Sequence, residues 1–269
     1  MRIGVKPGQW GWSFDELRSS WIAAEEAGFD VVSCFDHATT APTGARAWDA
    51  PTLLATMAGM TKRVTLAVDV LNVSLRPPFL LAAQLAVAQA ASGGRLQVGL
   101  GAGSHYLARY DHEAIGVPFP SRVERLARLE ACCRVFPRLW RGEVVTEATL
   151  HLDEASLGDQ GIEPPPIFVG GQSDAILQIA ATAGDGWNAG GGGVDVFSEL
   201  APRLDEACIR VGRDRPVAKA CQPFVRDVGL DRAGAVVKRL EDAGADLVVF
   251  VLDEERGADW VGRLAEAAL

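Results

Sequence analysis

Residues 92–104 read SGGRLQVGLGAGS. Gly93-Gly94 ends a preceding helix, Leu96–Leu100 is a short apolar strand, and glycine then recurs at every second position, Gly99, Gly101 and Gly103. Without a Cβ in the way, such a backbone can pass close to a flat or phosphorylated ligand. The spacing is G-x-G-x-G. It lacks the last glycine of the dinucleotide fingerprint and lies well past the N-terminal strand, where a Rossmann loop belongs. A different fold has to put a strand and a glycine loop in mid-chain.

Working outward, the same unit recurs. Upstream, strands are expected at Arg2–Lys6, Asp30–Phe35 and Val64–Leu71, with helices at Asp15–Ala27, Asp49–Met60 and Pro77–Ala91. Downstream, a helix runs over Arg122–Trp140, striped by Val123, Leu126, Leu129, Cys133, Phe136 and Trp140. A long connection follows, with an extended excursion at Val144–Leu152. Strands are then expected at Pro166–Val169, Gly186–Asn188, Val217–Phe224 and Asp246–Leu252, with helices between them and a last one at Ala258–Ala268. Strands this short, apolar and non-alternating belong to a parallel sheet covered on both faces. Eight strand-then-helix units in a chain of 269 residues predict an α/β fold, the (β/α)8 or TIM barrel, over a single domain, residues 1–269. A doubly wound open sheet is the rival reading of the same alternation.

Composition narrows the function. The net charge is −9 with no basic run, so nucleic acid is not an expected partner. No apolar run is long enough to span a membrane, and MRIGVKPGQW holds no stretch suited to a signal peptide, so a cytoplasmic protein is expected. Five cysteines without framework spacing read as reduced thiols, with Cys132 and Cys133 as core filler.

In a barrel of this kind the active site lies at the carboxyl ends of the strands. Those ends carry Gly8-Gln9-Trp10, Asp36-His37, Asp69–Asn72, Gly101–His105, Gly170–Ser173, Asn188–Gly191, Gln222 and Asp253. No metal-ligand spacing and no G-x-S-x-G elbow occur among them, so no metal is expected. A glycine-rich rim with few titratable groups suits a large flat cofactor that brings its own reactivity.

The chain resembles the luciferase-like flavin- and deazaflavin-dependent oxidoreductases over nearly its whole length. The resemblance rests on RPPFLLAAQLAVAQAASGGRLQVGLGAGS, GVPFPSRVERLARLEACCRVFPRLWRG, PPPIFVGGQSDAILQIAATAGDGWN and RVGRDRP, in that order. The compact length and the Asp36-His37 pair look most like members that use the deazaflavin coenzyme F420. The resemblance implies a hydride-transferring oxidoreductase acting on a small-molecule substrate, and a homodimer. Two alternatives stay open: an FMN-dependent monooxygenase, and a non-catalytic cofactor-binding protein.

It also implies a site. Asp36 and His37 would lie by the ring, with His37 as the catalytic candidate. A cis peptide at Asp69-Val70 would buttress the ring face. Ala102 and Gly103 would touch its edge. Gly170, Gly171 and Gln172 would approach the ribityl chain and phosphate, with the helix starting near Asp174 lending its positive end. Ala189 and Gly190 would close the phosphate side. Trp10, Ser104 and His105 are substrate-pocket candidates. Sugar-phosphate dehydrogenases of the family carry Glu after the strand-four glycines; this chain has Ser104 and His105 there. Asp69 is a second departure, since an acid beside an anionic ring would repel it. Plainer roles stand beside these: a structural His37 capping its loop, an Asp36 that bonds backbone, packing for Trp10, Trp12 and Trp48, and a solvated helix face for the charges of Arg122–Arg128.

Overall fold

In the computed structural model the strands in chain order are β1 (Arg2–Pro7), β2 (Val31–Cys34), β3 (Thr65–Asn72), β4 (Leu96–Gly101), β5 (Val145–Glu147), β6 (Leu152–Ala155), β7 (Ile167–Gly170), β8 (Gly186–Asn188), β9 (Ala218–Cys221) and β10 (Leu247–Leu252). The structure describes residues 1–39, 45, 47–103, 107–191, 193–253 and 256–269. All strands but β5 and β6 pair in parallel and close a barrel in the order β1-β10-β9-β8-β7-β4-β3-β2. The closing pair is β1 on β2, with Gly4 opposite Val31. An open sheet is therefore excluded, and the expected (β/α)8 architecture is the one found.

The helices are α1 (Phe14–Ala27), α2 (Ala50–Met60), α3 (Pro78–Ala91), α4 (Ala108–Ala114), α5 (Arg122–Trp140), α6 (Asp174–Ala183), α7 (Gly193–Arg210), α8 (Val225–Val228), α9 (Ala233–Asp242) and α10 (Ala258–Ala268). Their ends follow local chemistry. Ser13 and Glu16 form a capping box on α1, Ser121 and Glu124 another on α5, and Asp49 caps α2. No helix among the described residues is long and apolar enough to cross a membrane.

Two sequence expectations change. The excursion after α5 is an antiparallel hairpin of β5 and β6, outside the barrel. The buried face of α5 starts at Leu129 and takes in both Cys132 and Cys133, while Val123 is 77% exposed. The first turns of α5 lie over the rim, beside Ala102 and Ser173, rather than against the barrel wall.

The barrel interior is layered. A lower apolar layer holds Val31, Ala67, Phe168, Ala220, Leu247 and Val249. Inward-facing positions recur every second residue. Two residues on from Gly4, Val31, Ala67, Gly186 and Ala220 come Lys6, Ser33, Asp69, Asn188 and Gln222, all buried. A polar layer thus sits on the apolar one, just beneath the strand tips.

Candidate active site

The polar layer ties five strand ends together. Asp69 accepts from Ser33 Oγ at 2.5 Å and from Asn188 Nδ2 at 3.0 Å. Lys6 Nζ donates to the Asp69 carbonyl at 3.2 Å and to Gln222 Oε1. Burial lowers the Lys6 ammonium to about 8, against the opposing pull of Asp69. Burial pushes the Asp69 carboxyl above the usual carboxylate range, although Lys6, Ser33 and Asn188 pull it back. The acid expected to repel a ring is instead turned into the barrel and satisfied there.

The Asp69-Val70 peptide is cis, as the resemblance implies. The β3–β4 register shifts between Val68 and Leu71, and Val70 follows Asp69 inward. Its side chain fills the room that a Cβ at Gly99, Gly101 or Gly170 would need. Asn72 does the same at Gly103, which also has φ +63°. These glycines therefore make space for β3, a packing role that stands beside the ligand contact the resemblance implies. Gly190 is different: at φ +71° it faces open space.

Asp36 also finds protein partners. Its two oxygens take both Arg76 nitrogens at 2.8 Å, and Oδ2 accepts the Asn72 N–H at 3.0 Å. Arg76 bonds Asp49 as well, at 2.6 Å. Burial disfavours the Arg76 charge, but the two carboxylates hold it above its usual range. Asp36 thus clamps the tips of β2 and β3 to the start of α2.

His37 follows Asp36 directly in the chain, past the end of β2. Its Nδ1 is 2.7 Å from Asp111 Oδ2 on α4, and its ring packs on Trp10 with centroids 5.1 Å apart. Trp10 in turn packs edge-on against Phe35 at 5.4 Å. Trp12, by contrast, is core, and Trp48 donates to its carbonyl. Three buried polar atoms near these tips, Trp10 Nε1, Asn72 Nδ2 and Ser74 Oγ, have no hydrogen-bond partner among the described residues. Buried polar groups left so are the mark of a missing partner.

Gly171 donates its N–H to the Asn188 carbonyl and accepts from Trp187 Nε1 at 2.8 Å. Gln172 donates to the Ala189 carbonyl at 2.8 Å, and Gly190 N–H to Asn188 Oδ1 at 2.9 Å. Nearby, Ala102, Arg122, Arg125, Leu126, Ser173 and Ile176 line a cavity of about 60 Å³, several times the ~10–15 Å³ that one water needs. Ser173 precedes α6 without a side-chain cap; Ile176 N–H already meets the Ser173 carbonyl at 2.8 Å, which leaves the N–H groups of Asp174 and Ala175 for an anion. Burial, then the neighbouring Arg122 charge, holds Arg125 below its usual range. The arginines read as a solvated face are, at these two positions, the walls of that cavity. Ser104 and His105 lie outside the described residues.

Residues 2–227 match the family described as luciferase-like monooxygenase. The chain belongs to that family. Among its relatives, the F420-dependent glucose-6-phosphate dehydrogenase of Kineococcus radiotolerans is 32% identical over 219 residues, covering 79% of this chain and 64% of the relative. The chain thus spans less than two thirds of the length of that luciferase-like relative. Of solved luciferase-like folds, an F420-dependent secondary alcohol dehydrogenase in complex with an F420-acetone adduct superposes with TM-score 0.81, 17% identity, and 99% and 97% of the two chains covered. The coenzyme F420-dependent tetrahydromethanopterin reductase from Methanopyrus kandleri gives 0.77, 15%, and 99% and 98%. At these identities the likeness is one of fold.

Sequence reading missed Lys6, Arg76, Asp111, Arg122 and Arg125. Lys6 carried a signal: a lysine in a short apolar strand covered on both faces must point somewhere buried. Asp111 carried none, since its partner is 74 residues away.

Proposed function

We propose that this chain is an oxidoreductase dependent on coenzyme F420, acting on a small organic substrate. The observation that carries the reading is the His37–Asp111 pair set against Trp10 at the tip of β2, among orphaned buried polar groups. The name of the Kineococcus relative supports the cofactor.

The residues present fit such a group. Trp10 Nε1 and Asn72 Nδ2 are donors in want of acceptors on a polar planar molecule. The Arg122–Arg125–Ser173 cavity suits its phosphate. When bound, F420 supplies hydride chemistry at C5 of its deazaflavin. The protein's part is to hold the partners in register, keep water out and move one proton. Val70, braced by Gly99, Gly101 and Gly170, gives a rigid apolar surface at the centre of the rim. His37 handles the proton, because Ser104 and His105 stand where the resemblance implies a glutamate. The family resemblance further supports one domain, a cytoplasmic location and a homodimer.

The test is a titration with F420 and, in parallel, with FMN. F420 is expected to bind saturably and more tightly, and to turn over with a panel of alcohols and carbonyl compounds. Tighter FMN binding with oxygen uptake would make the protein a flavin monooxygenase. Tight F420 binding with no turnover would make it a carrier.

A further inference from the structure

Asp111 lies outside the strand tips, on α4, and its side chain is 1% exposed. Its carboxylate makes three hydrogen bonds, all to one segment. Oδ1 accepts the backbone N–H groups of Ala38 at 2.8 Å and Thr39 at 3.0 Å, and Oδ2 meets His37 Nδ1 at 2.7 Å. An ionised carboxylate can only accept. The hydrogen of a neutral His37 ring therefore belongs on Nδ1, and Nε2 carries the lone pair. Trp10 and Phe35 pack against the same ring, at 5.1 and 6.1 Å, so tautomer and orientation are set together.

We propose that Asp111 is a positioning residue that locks His37 in the Nδ1–H tautomer, so that Nε2 is the atom that takes the substrate's proton. This rests on the reading of His37 as the proton-handling group, but the lock itself is a property of the cofactor-free protein. A plain loop-capping role would need only Oδ1, which already binds both backbone groups.

The two oxygens make Asp111→Asn a sharp probe. The side facing Ala38 and Thr39 meets two donors, so the amide oxygen must stay there. The amide NH2 then faces His37 Nδ1, which has to accept, and the ring hydrogen moves to Nε2. The loop is kept and the proton chemistry of the ring is reversed.

The experiment is a two-bond 1H–15N spectrum of 15N-histidine-labelled protein without cofactor, at about pH 8.5, where ordinary imidazoles are neutral. The His37 signals are assigned by their loss in His37→Gln. Wild type is expected to show protonated-type Nδ1 and unprotonated-type Nε2, and Asp111→Asn the reverse. With F420, kcat of Asp111→Asn should fall roughly 100-fold, within the usual range for general acid–base loss, with KM changed less than threefold. A wild-type ring with hydrogen on Nε2 overturns the proposal even if the variant does not fold. So does an Asp111→Asn ring that keeps Nδ1–H, or a variant with the reversed ring and unchanged kcat. Failure to bind F420 at all would instead count against the proposed function and leave the tautomer result standing.

Discussion

Val70 and Gly170 share one volume: Val70 Cγ1 stands 2.5 Å from where a Cβ on Gly170 would sit. The β-branched side chain is stiff about χ1 and cannot swing aside cheaply. Gly170→Ala is therefore expected to destabilise the barrel by about 1–3 kcal/mol through overpacking, and Val70→Ala in the same chain to recover most of the loss. Gly190 has a positive φ but open space around it. Gly190→Ala should cost only the left-handed backbone penalty, about 1 kcal/mol. Urea midpoints of the three variants and the wild type check this, and a neutral Gly170→Ala would show that Val70 is not wedged there.

The barrel was legible because its strands are short and apolar on both faces, and even the three-residue β8 stood out between Gly184 and Gly190. The rim was legible only by position. Asp36, Asp69, Gly101 and Gly170 were found at the right height, but their partners lie on other strands and loops distant in sequence, where no local spacing points. Gly101 and Gly170 serve Val70, Asp36 serves Arg76, and Asp69 serves Ser33 and Asn188. A one-dimensional pattern marks where backbone must come close. It does not tell whether a ligand or another strand fills the gap.

Lys6 and Asp69 face each other in a buried layer, which makes stability depend on pH. Lys6 binds its proton to about pH 8 in the folded chain and to 10.5 in the ordinary state. Between these values the unfolded chain holds more protons, so this group makes stability rise with pH across that window. Below pH 8 both states are protonated and the full cost of the buried charge is present. Lys6→Met is expected to abolish that slope. At neutral pH it should cost about 3–5 kcal/mol, because it leaves the Asp69 carboxylate without a facing charge. Adding Asp69→Asn should return most of this, since Ser33 and Asn188 can still bond an amide. Denaturant unfolding of the cycle at several pH values is the measurement. A single Lys6→Met with wild-type stability would mean that the two charges are not coupled.

The cavity between the first turns of α5 and α6 yields a prediction that separates ring from tail. Arg122 and Arg125 line it with Ser173, and Arg125 is already anchored by the Pro120 carbonyl at 2.6 Å and the Phe119 ring at 4.4 Å. That anchoring orders the guanidinium before any ligand arrives, so less entropy is lost on binding. Charge-assisted bonds to a phosphate are worth about 1.5–3 kcal/mol each. Arg122→Gln together with Arg125→Gln should therefore weaken F420 binding by at least tenfold, and wild-type binding should weaken with added salt as exposed charge is screened. The deazaflavin core without phosphate or tail offers the cavity nothing, so its affinity should be the same for wild type and the double variant. Equal losses for both ligands would place the arginines in the scaffold of the rim rather than at the phosphate.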